Sequence, residues 1–596
     1  MRADSLRDRR RGLRMTPEEV ATDVLIVGAG PAGLTLAALL ARYGIDAITV
    51  SKFAGTARTP RAHITNQRAM EVYRDLKIED EVNRIATPSE LMSNNVWATS
   101  FAGTEIARLQ TWGTSIERQA DYDAVSPSRM CNAPQHRLEP VLRASAEEHG
   151  ADLRFGVELI EITQAEHGVR AVVRDESGVE TLIRAQYVVG ADGARSTVGE
   201  QLGFRFSGES GLGAALNIFL EADLSEYCAH RPGVLYWMTQ PGNNYWVGSG
   251  TWICVTPFRE WVNLSMYDPA EGEPDLSESA LIERVRSTIG DDTVDVTIKS
   301  VSKWQINHVV AESYQRGRAF LVGDAAHRHP PAGGLGSNTS VQDSFSLAWR
   351  LAYVIRGLAG PELLATYDAE RQPIGRKVVD RAIESVGNMG PIADALGFAP
   401  GQSIAEGWDN LEDLFSATPH GADRRAALEA AIELQHYQFN AHGFEFDLRY
   451  ESAAVVDDGT DWPRNERDPA LYATPSTHPG APLAHARVQR DSALLSTIDL
   501  VGDGVFTLVT GIADGAWREA AATVSDELGV VIRVAQVAVR GEYDDVYGDW
   551  ARVRGVSDAG ALLVRPDRVV SWRATEEPED AVTALRTALG AVLARA

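Results

Sequence analysis

Cysteine is scarce. The 596 residues hold three, Cys131, Cys228 and Cys254, and none stands in a CxxC or other metal-ligand spacing. That excludes a disulfide framework and places the chain, as an expectation, in the reducing cytoplasm. Positive charge is also in deficit, with 57 Lys and Arg against 83 Asp and Glu and a net charge of −26. A nucleic-acid partner requires a basic surface that displaces counterions, so the balance argues against one and reads as a solubility feature. No apolar run approaches the roughly 18 residues of a membrane span, so no membrane partner is expected. The start MRADSLRDRRRGLRMTPEEV is arginine-rich but lacks the apolar centre of a secretory signal. Residues 1–20 are expected to be a disordered leader, with Met15 an alternative start. Low-complexity tracts and repeats of 20–50 residues are missing too, which excludes solenoid architectures.

The length instead predicts two or three domains. TDVLIVGAGPAGLTLAALLARYGIDAITVSK (22–52) reads as strand, glycine turn, apolar helix and returning strand. In that context Gly28-x-Gly30-x-x-Gly33 is a dinucleotide fingerprint. Gly28 permits the turn, Gly30 lets backbone approach a pyrophosphate, and Gly33 lets the helix pack on the strand. Pro31 and Ala32 open a helix whose free N–H groups and dipole suit phosphate. The acid expected at the end of the second strand is absent, and Ser51-Lys52 stands there, leaving serine to bond the ribose. A second strand and turn, YVVGADGARSTV (187–198), carries Asp192. A third, FLVGDAAHRHPPAGGLGSN (320–338), ends its strand at Asp324 and then strings prolines and glycines before a helix expected over 340–358, starting near Asn338.

Those three segments in that order resemble the class A flavoprotein aromatic hydroxylases, in their phenol hydroxylase group, over residues 22 to about 595. The resemblance implies an α/β fold: a Rossmann-like FAD-binding domain of GR2 type, an inserted β-sheet substrate domain and a C-terminal thioredoxin-like domain. The tail has no cysteine, which excludes dithiol chemistry. The expected layout is 21–204 and 305–400 for FAD, with 90–125 joining the substrate sheet, and 205–304 for substrate. A helical extension over 401–471, a linker over 472–488 and the tail over 489–596 complete it. In the tail, strands are expected within 496–511, 529–539 and 559–574, and helices near 516–527 and 577–595.

By position the resemblance assigns Gly28, Gly30, Pro31, Ala32 and Gly33 to the pyrophosphate, joined by Arg61 from TPRAHITNQRAMEVYRDL (59–76). Ser51 and Lys52 lie at the ribose, Gln135 at the flavin, Asp192 in the second motif, and Asp324 at the ribitol. Pro331, Gly334, Leu335, Gly336, Ser337 and Asn338 would form a side-chain-poor wall for the isoalloxazine ring. His327 and His329 are read as architectural rather than catalytic.

His63 stands where phenol hydroxylases carry an aspartate acting on the substrate hydroxyl, so it is the candidate catalytic base. Ionising a phenol of pKa about 10 at neutral pH costs roughly 4 kcal/mol, and imidazole titrates in a useful range. Aromatics on the strands of 205–310 are core by default, and Tyr236, Trp246 and Trp304 are the candidates to face substrate. No second glycine fingerprint follows a strand, so NAD(P)H, NADPH by preference, is expected to dock transiently against the flavin.

The implied reaction is ortho-hydroxylation of a phenol with NAD(P)H and O2 through a C4a-hydroperoxyflavin. No arginine pair reads as a carboxylate clamp, which favours a neutral phenol over a hydroxybenzoate. A tailoring hydroxylase acting on a pyridinol (piericidin-like) ring is the alternative, and a non-catalytic FAD-binding interaction protein the remote one. Halogenase chemistry lacks its WxWxIP motif. The expected partners are a small aromatic, O2 and further copies of the chain, as a homodimer or higher homo-oligomer; no metal is expected.

Overall fold

The computed structural model describes residues 18–242 and 249–595. Residues 1–17 of the expected leader and the candidate Trp246 lie outside that range. Residues 18–20, assigned to the leader from sequence, already belong to the first strand, Glu18–Val27, because backbone pairing continues back to Glu18.

That strand is central. It pairs in parallel with Glu180–Gly190 on one side and Ala47–Ser51 on the other, and Glu180–Gly190 pairs in parallel with Ala319–Leu321. Asp152–Phe155 extends the sheet beyond Ala47–Ser51. Parallel sheets are covered on both faces, which explains why DVLIV and AITVS are nearly unbroken apolar runs. The helix Pro31–Arg42 starts with proline at its first position, where no donor is needed. It buries Leu34, Leu36, Leu39 and Leu40, each contributing about 1.5–3 kcal/mol by the usual transfer scale.

A second, eight-stranded sheet runs His327–Arg328, Thr297–Ala311, Phe206–Glu221, Glu260–Tyr267, Gly250–Thr256, Gly233–Met238, Asn94–Ala98 and Glu105–Gln110. Among the described residues, its one parallel pairing joins Gly233–Met238 to Asn94–Ala98. Successive strand residues point to opposite faces. Tyr236, Trp252 and Trp261 therefore pack outward with Phe101 against Leu281, Val285 and Ile289 of the helix Glu278–Ile289. Trp97, Leu235 and Trp237 turn the other way, towards the helices Gly390–Leu396, Ile404–Leu414 and Pro419–Glu433. Of the stretch 401–471, helix ends at Phe446. The remainder, with DDGTDWPRNERDP, has no apolar period to support one.

The tail has a four-stranded sheet in the order Ile532–Gln536, Phe506–Thr510, Ala561–Val564, Val570–Ala574, with the first pair parallel and the rest antiparallel. Helices Gly515–Leu528 and Ala581–Val592 pack together against it. STIDL, read as strand from sequence, forms instead a short 3-10 turn over Thr497–Asp499, closed by reciprocal hydrogen bonds between Ser496 and Asp499.

This unit shares one core with the first domain: Phe506 meets Trp349 and Tyr353 edge to face at 5.8 and 5.5 Å. Buried charges pin it. Glu370 bonds Arg350 at 2.6 Å and Arg565 at 2.6 and 2.9 Å, and Arg565 also bonds Asp567. Burial pushes the Glu370 carboxyl up, but Arg350 and Arg565 override it and hold it well below the ordinary range. Its stabilising contribution is thus present above about pH 4.5 and lost on further acidification. Glu370→Gln leaves two buried guanidinium groups undercompensated. It should destabilise the fold by about 3–5 kcal/mol at neutral pH, read as an earlier urea transition, and an unmoved midpoint would refute the docking role.

Candidate active site

Three strand tips meet along one edge of the parallel sheet. Val27 pairs with Gly190, and Gly190 with Leu321, so the turns that follow are neighbours. At the first turn Gly28 has φ +110°, and a Cβ there would lie 2.1 Å from the Ala191 carbonyl oxygen. A Cβ at Gly33 would lie 1.9 Å from the Gly28 carbonyl oxygen. Gly30 differs: a Cβ there meets nothing within 4 Å. Two glycines are required by the protein's own packing, and the third leaves room for something else. Ala32 sits behind, its carbonyl accepting the Ser344 hydroxyl at 2.8 Å.

Asp192 follows Glu180–Gly190. Its Oδ2 accepts the Val198 N–H at 3.1 Å, while Oδ1 is buried without a partner. Burial raises this carboxyl. Asp324 follows Ala319–Leu321; it is reachable by solvent yet ringed by protein, and desolvation raises it against the pull of His327, Arg61 and Arg328. Ser51 ends its strand buried, accepting the Phe53 N–H at 3.4 Å, and Lys52 is exposed beside the Phe53 ring.

Behind Asp324 lies a buried clamp. Asp343 accepts the Gly323 N–H at 3.1 Å and Arg371 Nε–H at 2.8 Å, and His327 Nε2 is 2.9 Å from the same carboxylate. His327 therefore donates, an architectural role. His329 Nδ1 likewise meets its neighbour's carbonyl, Pro330 O, at 2.7 Å, and burial pushes its imidazole down to about 4.

The wall segment turns through Gly333 and Gly334, at φ +75° and +66°, straight into the helix Leu335–Ile355. The helix thus begins five residues before the expected 340 and ends three before 358. Glycine permits the left-handed turn that starts it early. Leu335, Gly336 and Ser337 occupy its first turn, with free N–H groups, after Pro331 in the preceding turn. Asn338 follows in the same turn, and its side chain bonds within the protein. It donates to Ile64 O at 3.0 Å and Gly334 O at 2.6 Å and accepts the Asn66 N–H at 2.9 Å. It staples the wall to the 64–66 segment.

That segment is also zipped to 131–135: Ala133 N–H donates to His63 O at 2.7 Å, and Gln135 N–H to Ala62 O at 2.8 Å. The Gln135 amide donates to Glu139 at 2.6 Å, and Arg61 is exposed at the rim. His63 is half-buried, with Nδ1 3.1 Å from Asn132 Oδ1. Burial pushes its imidazole down to about 4, with the Asn132 bond opposing. Next to it, Ile64 joins an aromatic group in which Trp237 stacks on Trp97 at 6.4 Å and meets Phe439 at 6.2 Å.

Of the aromatic candidates, Tyr236 is not brought here. It is fully buried on the outer face, its hydroxyl donating to Arg231 O at 2.9 Å. Trp304 is half-buried, its indole donating to Asn217 at 3.1 Å. Sequence reasoning missed Asn132, Trp237 and Phe439. Strand alternation would have shown that only one of Tyr236 and Trp237 faces inward; nothing local marks Phe439.

Residues 21–382 match the FAD binding domain family, and residues 476–596 match the family described as aromatic-ring hydroxylase, C-terminal. The chain belongs to the FAD-dependent aromatic-ring hydroxylases. It is 47% identical to the 2,4-dichlorophenol 6-monooxygenase of Delftia acidovorans, over 96% of this chain and 98% of that one. Against the phenol 2-monooxygenase of Pseudomonas sp. (strain EST1001) it is 42% identical, over 96% and 93%. The structure of the flavin-dependent monooxygenase PieE in complex with FAD and substrate matches with a TM-score of 0.94 at 44% identity, covering 98% and 100%.

The hydroxylase's residues fit FAD. The buried, unpartnered Asp192 Oδ1 asks for a donor that the described residues do not supply, and Gly30 opens the helix N-terminus to a pyrophosphate. Gly28, Pro31, Ala32 and Gly33 belong to the same turn and helix start, Ser51 ends the strand paired beside it and Lys52 follows, and Arg61 lies within electrostatic reach of Asp324. Gly30→Val should leave folding intact while weakening FAD binding at least about tenfold, or 1.4 kcal/mol; Gly33→Val should prevent folding. Equal flavin content in Gly30→Val and the parent, by absorbance, would overturn the assignment.

Proposed function

We propose that the enzyme is a single-component, NAD(P)H-dependent monooxygenase that hydroxylates a phenol ortho to its hydroxyl. The observation that carries this is His63, an uncharged nitrogen base on the segment stapled to the flavin wall and next to an aromatic patch. Relatives that bear the names phenol 2-monooxygenase and 2,4-dichlorophenol 6-monooxygenase support it. Bound FAD supplies the redox chemistry, taking two electrons from NAD(P)H and activating O2 for transfer of one oxygen atom to an electron-rich ring. The glycine turn, Arg61, Asp192 and Asp324 hold and orient the cofactor. Trp97, Trp237 and Phe439, with Trp304, shield the ring side from water.

The role of His63 follows from magnitude. Full transfer of a proton from a phenol near 10 to an imidazole at about 4 costs about 8 kcal/mol, more than ionisation in water. His63 therefore serves as a hydrogen-bond acceptor that orients the hydroxyl and draws its proton outward as the ring is attacked, rather than as a resting-state base.

The second reading is a tailoring hydroxylase acting on a pyridinol ring; the likeness to PieE, a flavin-dependent monooxygenase, supports the flavin chemistry that both readings share. The β-α-β order of the first sheet supports the Rossmann-like assignment. The parallel-then-antiparallel order of the tail supports a thioredoxin-like one. Exposed Ile512, Val531 and Val539 on that tail suit a homodimer contact. NADPH as donor and a cytoplasmic location complete the proposal.

Phenols and pyridinols screened for stimulated NAD(P)H consumption, with product identification, test the reading; no stimulation by any of them would reject it. His63→Ala should lower hydroxylation roughly 10- to 100-fold and raise peroxide release, with FAD retained. Because folded His63 titrates at about 4, the wild-type rate should show no His63-dependent acidic limb above pH 5. A limb near 6.5 that disappears in His63→Ala would contradict this.

A further inference from the structure

We propose that Asn132 is a positioning residue for this reaction, fixing the tautomer of His63 so that the lone pair lies on Nε2. This rests on the reading of His63 given above. Asn132 is fully buried on the short strand Cys131–Asn132, opposite Ile64 in antiparallel register. Its Nδ2 lies 2.9 Å from the Cys254 carbonyl oxygen and 3.0 Å from Thr87 Oγ1. A carbonyl oxygen only accepts, so the NH2 end of the amide faces Cys254. The other end, Oδ1, then faces His63 Nδ1 at 3.1 Å. An amide oxygen also only accepts, so Nδ1 carries the hydrogen.

A neutral imidazole has one N–H, and the remaining nitrogen, Nε2, is left with its lone pair free. Turning the amide over would set oxygen against the Cys254 oxygen and lose the donor pair, so the orientation is determined. The opposite tautomer would present N–H to a phenol, which would then keep its own proton when the ring needs electron density.

The relay also spans two parts of the fold. Cys254 belongs to the substrate sheet strand Gly250–Thr256, and His63 to the segment beside the flavin wall. Docking of the sheet is thereby registered in the state of the imidazole. The two influences acting on His63 are its burial and this amide. Replacing the amide by a carboxylate keeps the acceptor and adds a charge that favours imidazolium.

The test compares FAD-bound Asn132→Asp, Asn132→Ala, His63→Ala and the double variant Asn132→Asp/His63→Ala. Flavin absorbance is recorded from pH 5 to 9, alongside phenol-stimulated NAD(P)H oxidation and peroxide release. Asn132→Asp should bring a new titration into the pH 5–8 window, absent from the double variant. Asn132→Ala should show no such titration and lose hydroxylation by roughly 10- to 100-fold, with unchanged flavin content and more peroxide.

Equal impairment of the two Asn132 single variants, with no new titration in Asn132→Asp, would show that Asn132 only fills space. Should Asn132→Ala fail to fold, the Asn132→Asp titration against its double variant decides alone. If the wild-type protein binds FAD but no phenol stimulates NAD(P)H oxidation, the hydroxylase reading falls while the titration still decides the hold of Asn132 on His63.

Discussion

Parallel strands deliver their carboxyl ends to one edge of a sheet, and the register among Glu18–Val27, Glu180–Gly190 and Ala319–Leu321 is the constraint on which this site depends. With Val27 beside Gly190 and Gly190 beside Leu321, residues some 130–160 positions apart in sequence become neighbours. A shift of one residue would turn each strand's side chains to the other face and separate Gly28 from the Ala191 carbonyl that shapes it. The buried Asp343 carboxylate holds the third tip in that register by binding Gly323 N–H, His327 and Arg371 together.

The second sheet and the tail are coupled to this edge by polar contacts made in dry surroundings. Asn132 joins the second sheet to the His63 segment, and Asn338 joins that segment to the turn at Gly334. Glu370, Arg350, Arg565 and Asp567 fasten the tail to the long helix Leu335–Ile355 that starts at the wall. Each of these bonds is strong because water is excluded, and each is costly to leave half-made. Their combination makes a rigid frame in which a flat cofactor and a flat substrate can be set at fixed angles.

The charge distribution follows the chemistry. The helix Pro31–Arg42 turns its N-terminal donors to the glycine turn, and Arg61 is exposed. The ring side is aromatic, and the titratable group beside it, His63, is held neutral by burial.

The chain's local patterns determined much. The glycine spacing, the strand runs before Gly28, Asp192 and Asp324, and the cofactor they imply are short-range features, since a turn or a buried strand is specified by residues adjacent in sequence. The lack of cysteine in the tail settled by itself that it performs no dithiol chemistry. Tertiary structure decided the rest. It alone decided that the wall helix starts at Leu335, because Gly333 and Gly334 turn left-handed just before it and Ile64 crowds the second, where a Cβ would lie 3.0 Å from its side chain. Packing against the helix Glu278–Ile289 sent Tyr236 outward and Trp237 inward, and Phe439 arrived from a helical extension with no local signal. The Asn338 side chain bonds Ile64 and Asn66, and Asn132 bonds His63, because hydrogen-bond partners distant in sequence are chosen only when the chain has closed upon itself.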